Sequence, residues 1–168
     1  NLTDNYNPGN RTLNLSESVY GAATVSAVSV ACHEAGHAIQ HSKGYFPLKF
    51  RNAIVPVVNF SSRISWLLII AGIILMSVNS VNSSLGLRLL DLGIIAFIAV
   101  LVFHIITLPV EFDASHRAIK QMEALNLVSS QDVAGSKKVL GAAAMTYIAA
   151  VAVAAANLLR VLVIRNRN

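Results

Sequence analysis

Charged side chains are scarce in this chain. Lys, Arg, Asp and Glu make up 12% of its 168 residues, about half the share of an ordinary soluble domain. With 55% hydrophobic residues and a mean hydropathy of +0.61, this excludes a simple soluble globule. The apolar residues fall in blocks long enough to cross a bilayer, so the chain reads as an integral membrane protein. Cysteine is nearly missing too. The one thiol, Cys32, excludes an internal disulfide framework and a CxxC zinc site. It precedes His33, but on a helix its side chain points about 100° away, as a small packing residue would. No basic run interleaves with aromatics, so the net charge of +5 suits the cytoplasmic flanks of spans and not a nucleic-acid partner. Internal repeats and low-complexity tracts are absent. No signal peptide is visible in a chain that begins with Asn, and further residues are expected upstream.

What is present starts with His33-Glu34-Ala35-Gly36-His37. On a helix, residues four apart lie one turn apart on one face, so His33 and His37 can grip one zinc ion. Glu34 sits beside the first ligand, where it can take a proton from a water that the ion activates. At ordinary residue usage a chain this short shows H-E-x-x-H by accident in well under about one case in a hundred. The surroundings, Val25, Val28, Val30, Ala31, Cys32, Ala35, Ala38 and Ile39, are small and apolar, and polar groups buried there need partners. A satisfied core cluster is the bland alternative to zinc. His41 continues the series by one more turn, but three stacked rings cannot easily meet one ion. It is a helix-end residue or a group that orients a ligand or faces substrate.

Along the chain, residues 1–18 read as a polar hairpin. Its turn lies at Asn7-Pro8-Gly9-Asn10, with Pro-Gly as the central pair of a type II turn. The hairpin either covers the next helix or offers its edge to an extended peptide. Ser16 or Ser18 is a candidate cap for a helix from about Val19 to His41, which Lys43-Gly44 ends. Residues 45–63 look like an interfacial connector, which closes a first section, 1–63. Spans follow at 64–81, with Trp66 as an interface anchor, and at 92–110. Residues 111–132 hold acidic groups and an amphipathic helix. A last helix, 133–164, starts at a Ser129/Asp132 capping box and is long enough to span, although an interfacial placement is open. The expected fold is therefore mainly α: a zincin-like helix, a short N-terminal β-hairpin and two to three transmembrane helices. Lys43, Lys49, Arg51 and Arg63 precede the first span, and Arg117, Lys120, Lys137 and Lys138 follow the second. The loop between them carries only Arg88. By the positive-inside rule the zinc helix faces the cytoplasm.

A catalytic zinc takes a third protein ligand and keeps one position open. The acids available are Asp4, Glu17, Asp91, Glu111, Asp113, Glu123 and Asp132. Asp91 lies on the wrong side of the membrane. Glu111 is the first carboxylate after the spans return to the zinc side. At the edge of a span it is either a functional group or an interfacial acid with no duty.

His33-Glu34-Ala35-Gly36-His37-Ala38-Ile39-Gln40-His41, with Leu108-Pro109-Val110-Glu111-Phe112-Asp113-Ala114-Ser115 and Arg117-Ala118, resembles the bacterial membrane zinc metallopeptidase family of the YugP type. Leu2-Thr3-Asp4-Asn5-Tyr6, Tyr45 with Pro47-Leu48, and Tyr147 fit as well. The E-x-x-A-S element is similar to the E-x-x-A-D element of the HtpX and CAAX-protease clan. The resemblance implies that His33, His37 and Glu111 bind zinc and that Glu34 acts on water. Asp113 and Ser115 depart from the commoner residues, so their part near the metal is open. His41, His116 and Arg117 are candidates to stabilise an oxyanion or meet substrate. The expected protein is a multi-pass zinc endopeptidase of a bacterial cell membrane. Its site lies on the cytoplasmic face, and its substrates are proteins or peptides, membrane proteins among them. A metal transporter, or a zinc-binding scaffold or chaperone without turnover, is the alternative. The sequence leaves the oligomeric state open.

Overall fold

The computed structural model describes residues 4–78 and 83–166. Leu2 and Thr3 of the expected hairpin, the end of the first expected span and Asn82 lie outside the described residues. In order, the elements are β1 (Asn5–Asn7), β2 (Thr12–Asn14), α1 (Glu17–Tyr20), α2 (Val25–Ser42), α3 (Phe46–Val78), α4 (Ser83–Ala124) and α5 (Val133–Asn166). The protein is thus mainly helical with one small hairpin. α3, α4 from Ser84, and α5 are long and apolar enough to cross a membrane.

The hairpin forms where alternation placed it, antiparallel, with Tyr6 opposite Leu13. Its turn differs from expectation. A type II turn needs Gly9 at positive φ, and Gly9 is not there; Arg11 takes that conformation instead, at φ 58°. The Asn7 side chain accepts from the Gly9 amide at 2.9 Å and so bends the chain one residue earlier than Pro-Gly would.

The single helix expected from Val19 to His41 is broken in two. Ser16 spends its hydroxyl on Asp4, at 3.1 Å, and caps α1 only through its carbonyl. After Gly21 the chain restarts at Thr24, whose hydroxyl accepts from the Ala27 amide at 3.2 Å, the ordinary N-cap bond. α2 ends as expected. Gly44 adopts φ +64°, its amide bonds to His41, and the Tyr45 amide bonds to Gln40, the paired bonds of a Schellman cap. The stretch expected as a connector is helical from Phe46 on. At the start of α5, Ser129 and Asp132 bond to each other through the serine hydroxyl, the Asp132 amide and the carboxylate, as the capping signal suggested.

The chain divides into two compact units. One comprises the described residues up to Phe50 with Thr107–Tyr147; the other comprises Arg51–Ile106 with the described residues from Ile148. In the second, Ile69, Leu90, Ile94 and Val161 form the core. There Gly72 and Gly86 let the α3 and α4 backbones approach so closely that a Cβ on Gly72 would stand 2.7 Å from the Gly86 carbonyl oxygen. Such small-residue contacts stand in for the hydrophobic drive that lipid does not supply. Arg165 of α5 pairs with Asp91 of α4 at 2.5 Å. In the first unit, Ala118, Met122 and Leu140 make a core on which Val28 and Cys32 pack, so Cys32 has the packing place its helical angle suggested.

Candidate metal centre

The first unit sets α2 against the later part of α4, and glycine decides how closely. A methyl group on Gly36 would collide with the Ala114 carbonyl oxygen and lie 3.1 Å from its carbonyl carbon. With Gly36 bare and Ala114 fully buried, the residues one turn either side on α4 come level with the motif. Glu111 thereby reaches both histidines. His33 Nε2 lies 3.2 Å from Glu111 Oε2, and His37 Nε2 lies 3.6 Å from the same oxygen.

These distances suit a shared ion. Two ligands each about 2.1 Å from a tetrahedral zinc stand about 3.4 Å apart. The ligand atoms of His33, His37 and Glu111 all lie within 4.8 Å of one another. No other group of three or more such side chains that could hold a metal occurs among the described residues. Glu111 is only 2% exposed, and a buried carboxylate is costly without a cation or hydrogen-bond donors.

The outer ring nitrogens are held from behind. Gln40, fully buried on the same face of α2, donates from Nε2 to the Val110 carbonyl and to Asp113 Oδ2, both at 2.8 Å. Both partners only accept, so the amide orientation is fixed and its Oε1 is left to accept from His37 Nδ1 at 3.0 Å. A neutral His37 with its proton on Nδ1 turns its Nε2 lone pair toward Glu111, as a metal ligand must. Asp113 is in turn held by Arg117 at 2.6 Å, whose guanidinium lies 5.7 Å over the Tyr45 ring. His33 Nδ1 meets Ser115 Oγ at 3.1 Å. Burial draws the His37 imidazole toward neutrality. The Glu111 carboxylate, by hydrogen bond and charge, then Gln40 and Glu34, more than offset this and raise its pKa above the ordinary histidine value. Proton and metal therefore compete for the same lone pair.

The sequence candidates separate as follows. His33, His37 and Glu111 converge, with Glu34 on the next position of α2. Ser115 and Asp113 stand directly behind the cluster, the latter through Gln40. Arg117 is committed to Asp113. His41 bonds through Nδ1 to the Tyr6 hydroxyl at 2.6 Å. His116 is exposed and lines a cavity of about 250 Å³ with Phe112, Ile119 and Ala144. Two residues that the sequence did not single out as site residues join the site. Gln40 gave one signal, its place three residues after His37 on the same helical face. Tyr6 gave no signal of position: it only fell within a stretch that fits the family, and its amide donates to Glu34 Oε2 at 2.8 Å across 28 residues. A cavity of about 210 Å³ adjoins His33 and Glu34, lined also by Val30, Leu140, Ala143 and Tyr147.

Gln40→Leu fills the space but takes the Gln40 donor from the Val110 carbonyl and Asp113 Oδ2 and leaves His37 Nδ1 without its acceptor. Zinc affinity, measured by competition with a chromophoric chelator, is expected to fall by about 10–100-fold, the usual effect of losing a group that orients a ligand.

A helical membrane protein that gathers two imidazoles and a carboxylate around one point, with a second carboxylate beside them, has the make-up of a membrane metallohydrolase. The chain belongs to the family described as "Putative neutral zinc metallopeptidase", whose pattern matches residues 1–166. It is 45% identical over 163 residues to the Bacillus subtilis (strain 168) protein called "Putative membrane protease YugP", covering 97% of this chain and 68% of that one. No solved structure matches it.

Proposed function

We propose that this protein is a membrane-embedded zinc endopeptidase in which His33, His37 and Glu111 hold the metal and Glu34 is the general base. The observation that carries this reading is the convergence of both Nε2 atoms on one Glu111 oxygen. When bound, zinc supplies a Lewis acid for the scissile carbonyl and brings the pKa of a neighbouring water near neutrality. Glu34 takes the proton of the attacking water and returns it to the leaving amine nitrogen. Gln40 and Ser115 keep the rings turned inward, and Asp113 with Arg117 keeps Gln40 in place. The cavity beside His33 and Glu34 leaves room for a substrate side chain next to the reacting bond.

The substrate is a protein or peptide presented at the membrane, and the site faces the cytoplasm of a multi-pass protein in a bacterial cell membrane. Lysine and arginine support that orientation. Eight flank the spans on the motif side, whereas Arg88, Arg160 and Arg165 fall on the other. The Arg165–Asp91 pair ties the end of α5 to the early part of α4 and so favours a last helix that crosses fully.

Protein purified in detergent should hold about one zinc per chain and cleave unfolded casein. Cleavage should stop on chelation and return with stoichiometric zinc. Chelator-insensitive cleavage, or zinc flux into liposomes without any cleavage, would overturn the reading.

A further inference from the structure

The catalytic glutamate of the proposed peptidase is held by a hairpin residue 28 positions earlier in the chain. We propose that strand β1 is a fixed part of the catalytic apparatus and that Tyr6 is a positioning residue. Its backbone amide orients Glu34, and its hydroxyl, bonded to His41, keeps the strand in place. This rests on Glu34 being the general base.

The geometry is a two-point grip. The Tyr6 amide donates to Glu34 Oε2 at 2.8 Å, and the Tyr6 hydroxyl lies 2.6 Å from His41 Nδ1, with the two rings 5.7 Å apart. Glu34 and His41 are seven residues apart, two turns of α2, so they lie within about 20° on one face. One residue thus touches that face at both ends. This gives His41, the third histidine of the series, a partner that is not the metal.

The hairpin is built to hold Tyr6 there. In the antiparallel pair, Asn5 and Asn7 stand opposite Asn14 and Thr12, which leaves the Tyr6 amide turned away from β2 and toward α2. Asp4 accepts from the Ser16 amide at 2.6 Å and from its hydroxyl at 3.1 Å. Asn14 donates to the Asn5 side chain at 3.0 Å. These bonds close the strand before Tyr6, and the pairing of Asn7 with Thr12 closes it after.

A glutamate side chain has three rotatable bonds, and unless held it spreads its carboxylate over many positions. A misplacement of about 1 Å at the reacting centre costs about 10²-fold in rate. The amide bond fixes one oxygen of Glu34, and the other has no hydrogen-bond partner among the described residues and stays available for the proton. A strap that blocks the site would use the same contacts. Against that role, the cavity of about 210 Å³ beside His33 and Glu34 stays open with the strand in place.

The test compares wild type, Tyr6→Phe, His41→Leu and His41→Asn on a fluorogenic casein-derived peptide, with zinc content and thermal unfolding measured on each. Tyr6→Phe and His41→Leu should each lower kcat by about 10–100-fold. KM should stay within about twofold and zinc near one per chain. His41→Asn, which restores an acceptor close to the position of Nδ1, should recover most of the rate. The double variant Tyr6→Phe/His41→Leu should be no worse than either single one, because both break one bond. A Tyr6→Phe rate equal to wild type overturns the proposal, and a faster one shows a blocking strap instead. Loss of zinc or of folding in step with the rate shows a structural role only. A wild type that holds zinc but cleaves nothing overturns the peptidase reading itself, and this role for Tyr6 with it.

Discussion

Glu34→Gln should retain zinc at about one per chain and lose turnover by on the order of 10³-fold, a typical contribution of a positioned general base and about 4 kcal/mol of activation free energy. The two side chains have nearly the same shape. Glutamine keeps an oxygen that can accept from the Tyr6 amide, now 2.8 Å from Oε2, so the hairpin should stay seated. The metal cluster is untouched, because Glu34 is not among the three side chains that converge. What is lost is the ability to take a proton: an amide oxygen is far too weak a base near neutral pH. Elemental analysis for zinc beside a kcat measurement on casein separates the two effects. Turnover within about tenfold of wild type would show that another group carries the proton, and loss of zinc would show that Glu34 is a ligand.

The parts of this architecture that depend on neighbours in sequence could be read from it. The four-residue step from His33 to His37 fixes both rings on one face of any helix. Gly44 after Lys43 marked a helix end, and the structure closes it with a left-handed glycine. The long apolar blocks and the hairpin alternation were equally local. The errors were also local, where two signals compete. Gly21 and Thr24 restart a helix that apolar periodicity would have continued, because a capping hydroxyl satisfies amides that an unbroken helix would have satisfied itself. The Asn7 side chain overrides the turn that Pro8-Gly9 prefers. Glu111 lay between the two cases. Its place at a span edge made it a candidate, and its likeness to a known ligand element pointed to the metal, but its distance from the rings depends on Gly36 meeting Ala114 across the helix interface. Gln40 and Tyr6 were not legible as site residues. Their partners stand 70 and 28 residues away in the chain, and no periodicity encodes a contact that only the packed unit creates.

Glu111→Gln is expected to lose the metal as well as the reaction, and so differs in kind from the change at Glu34. Two neutral imidazoles and a carboxylate leave a site with net charge +1 when a divalent ion is bound; with an amide in place of the carboxylate it carries +2 in a pocket where Glu111 is 2% exposed, and burying charge there is costly. Zinc affinity should fall by more than the roughly 100-fold that loss of an orienting group costs. The purified variant should then hold well under one zinc per chain after dialysis, and casein cleavage should drop to background. Folding should survive, since glutamine fills the same volume and can still hydrogen-bond to the two rings that lie 3.2 and 3.6 Å from Oε2. Circular dichroism and thermal unfolding of the metal-free proteins check this. Retention of one tightly held zinc by Glu111→Gln would move the third ligand elsewhere. One alternative acid, Asp113, is a poor substitute: its Oδ2 already accepts from Gln40 at 2.8 Å and from Arg117 at 2.6 Å. To reach the metal it would have to release the amide that holds His37. The pair of variants therefore isolates the two carboxylates by outcome: one keeps the ion and loses the chemistry, and the other loses the ion first.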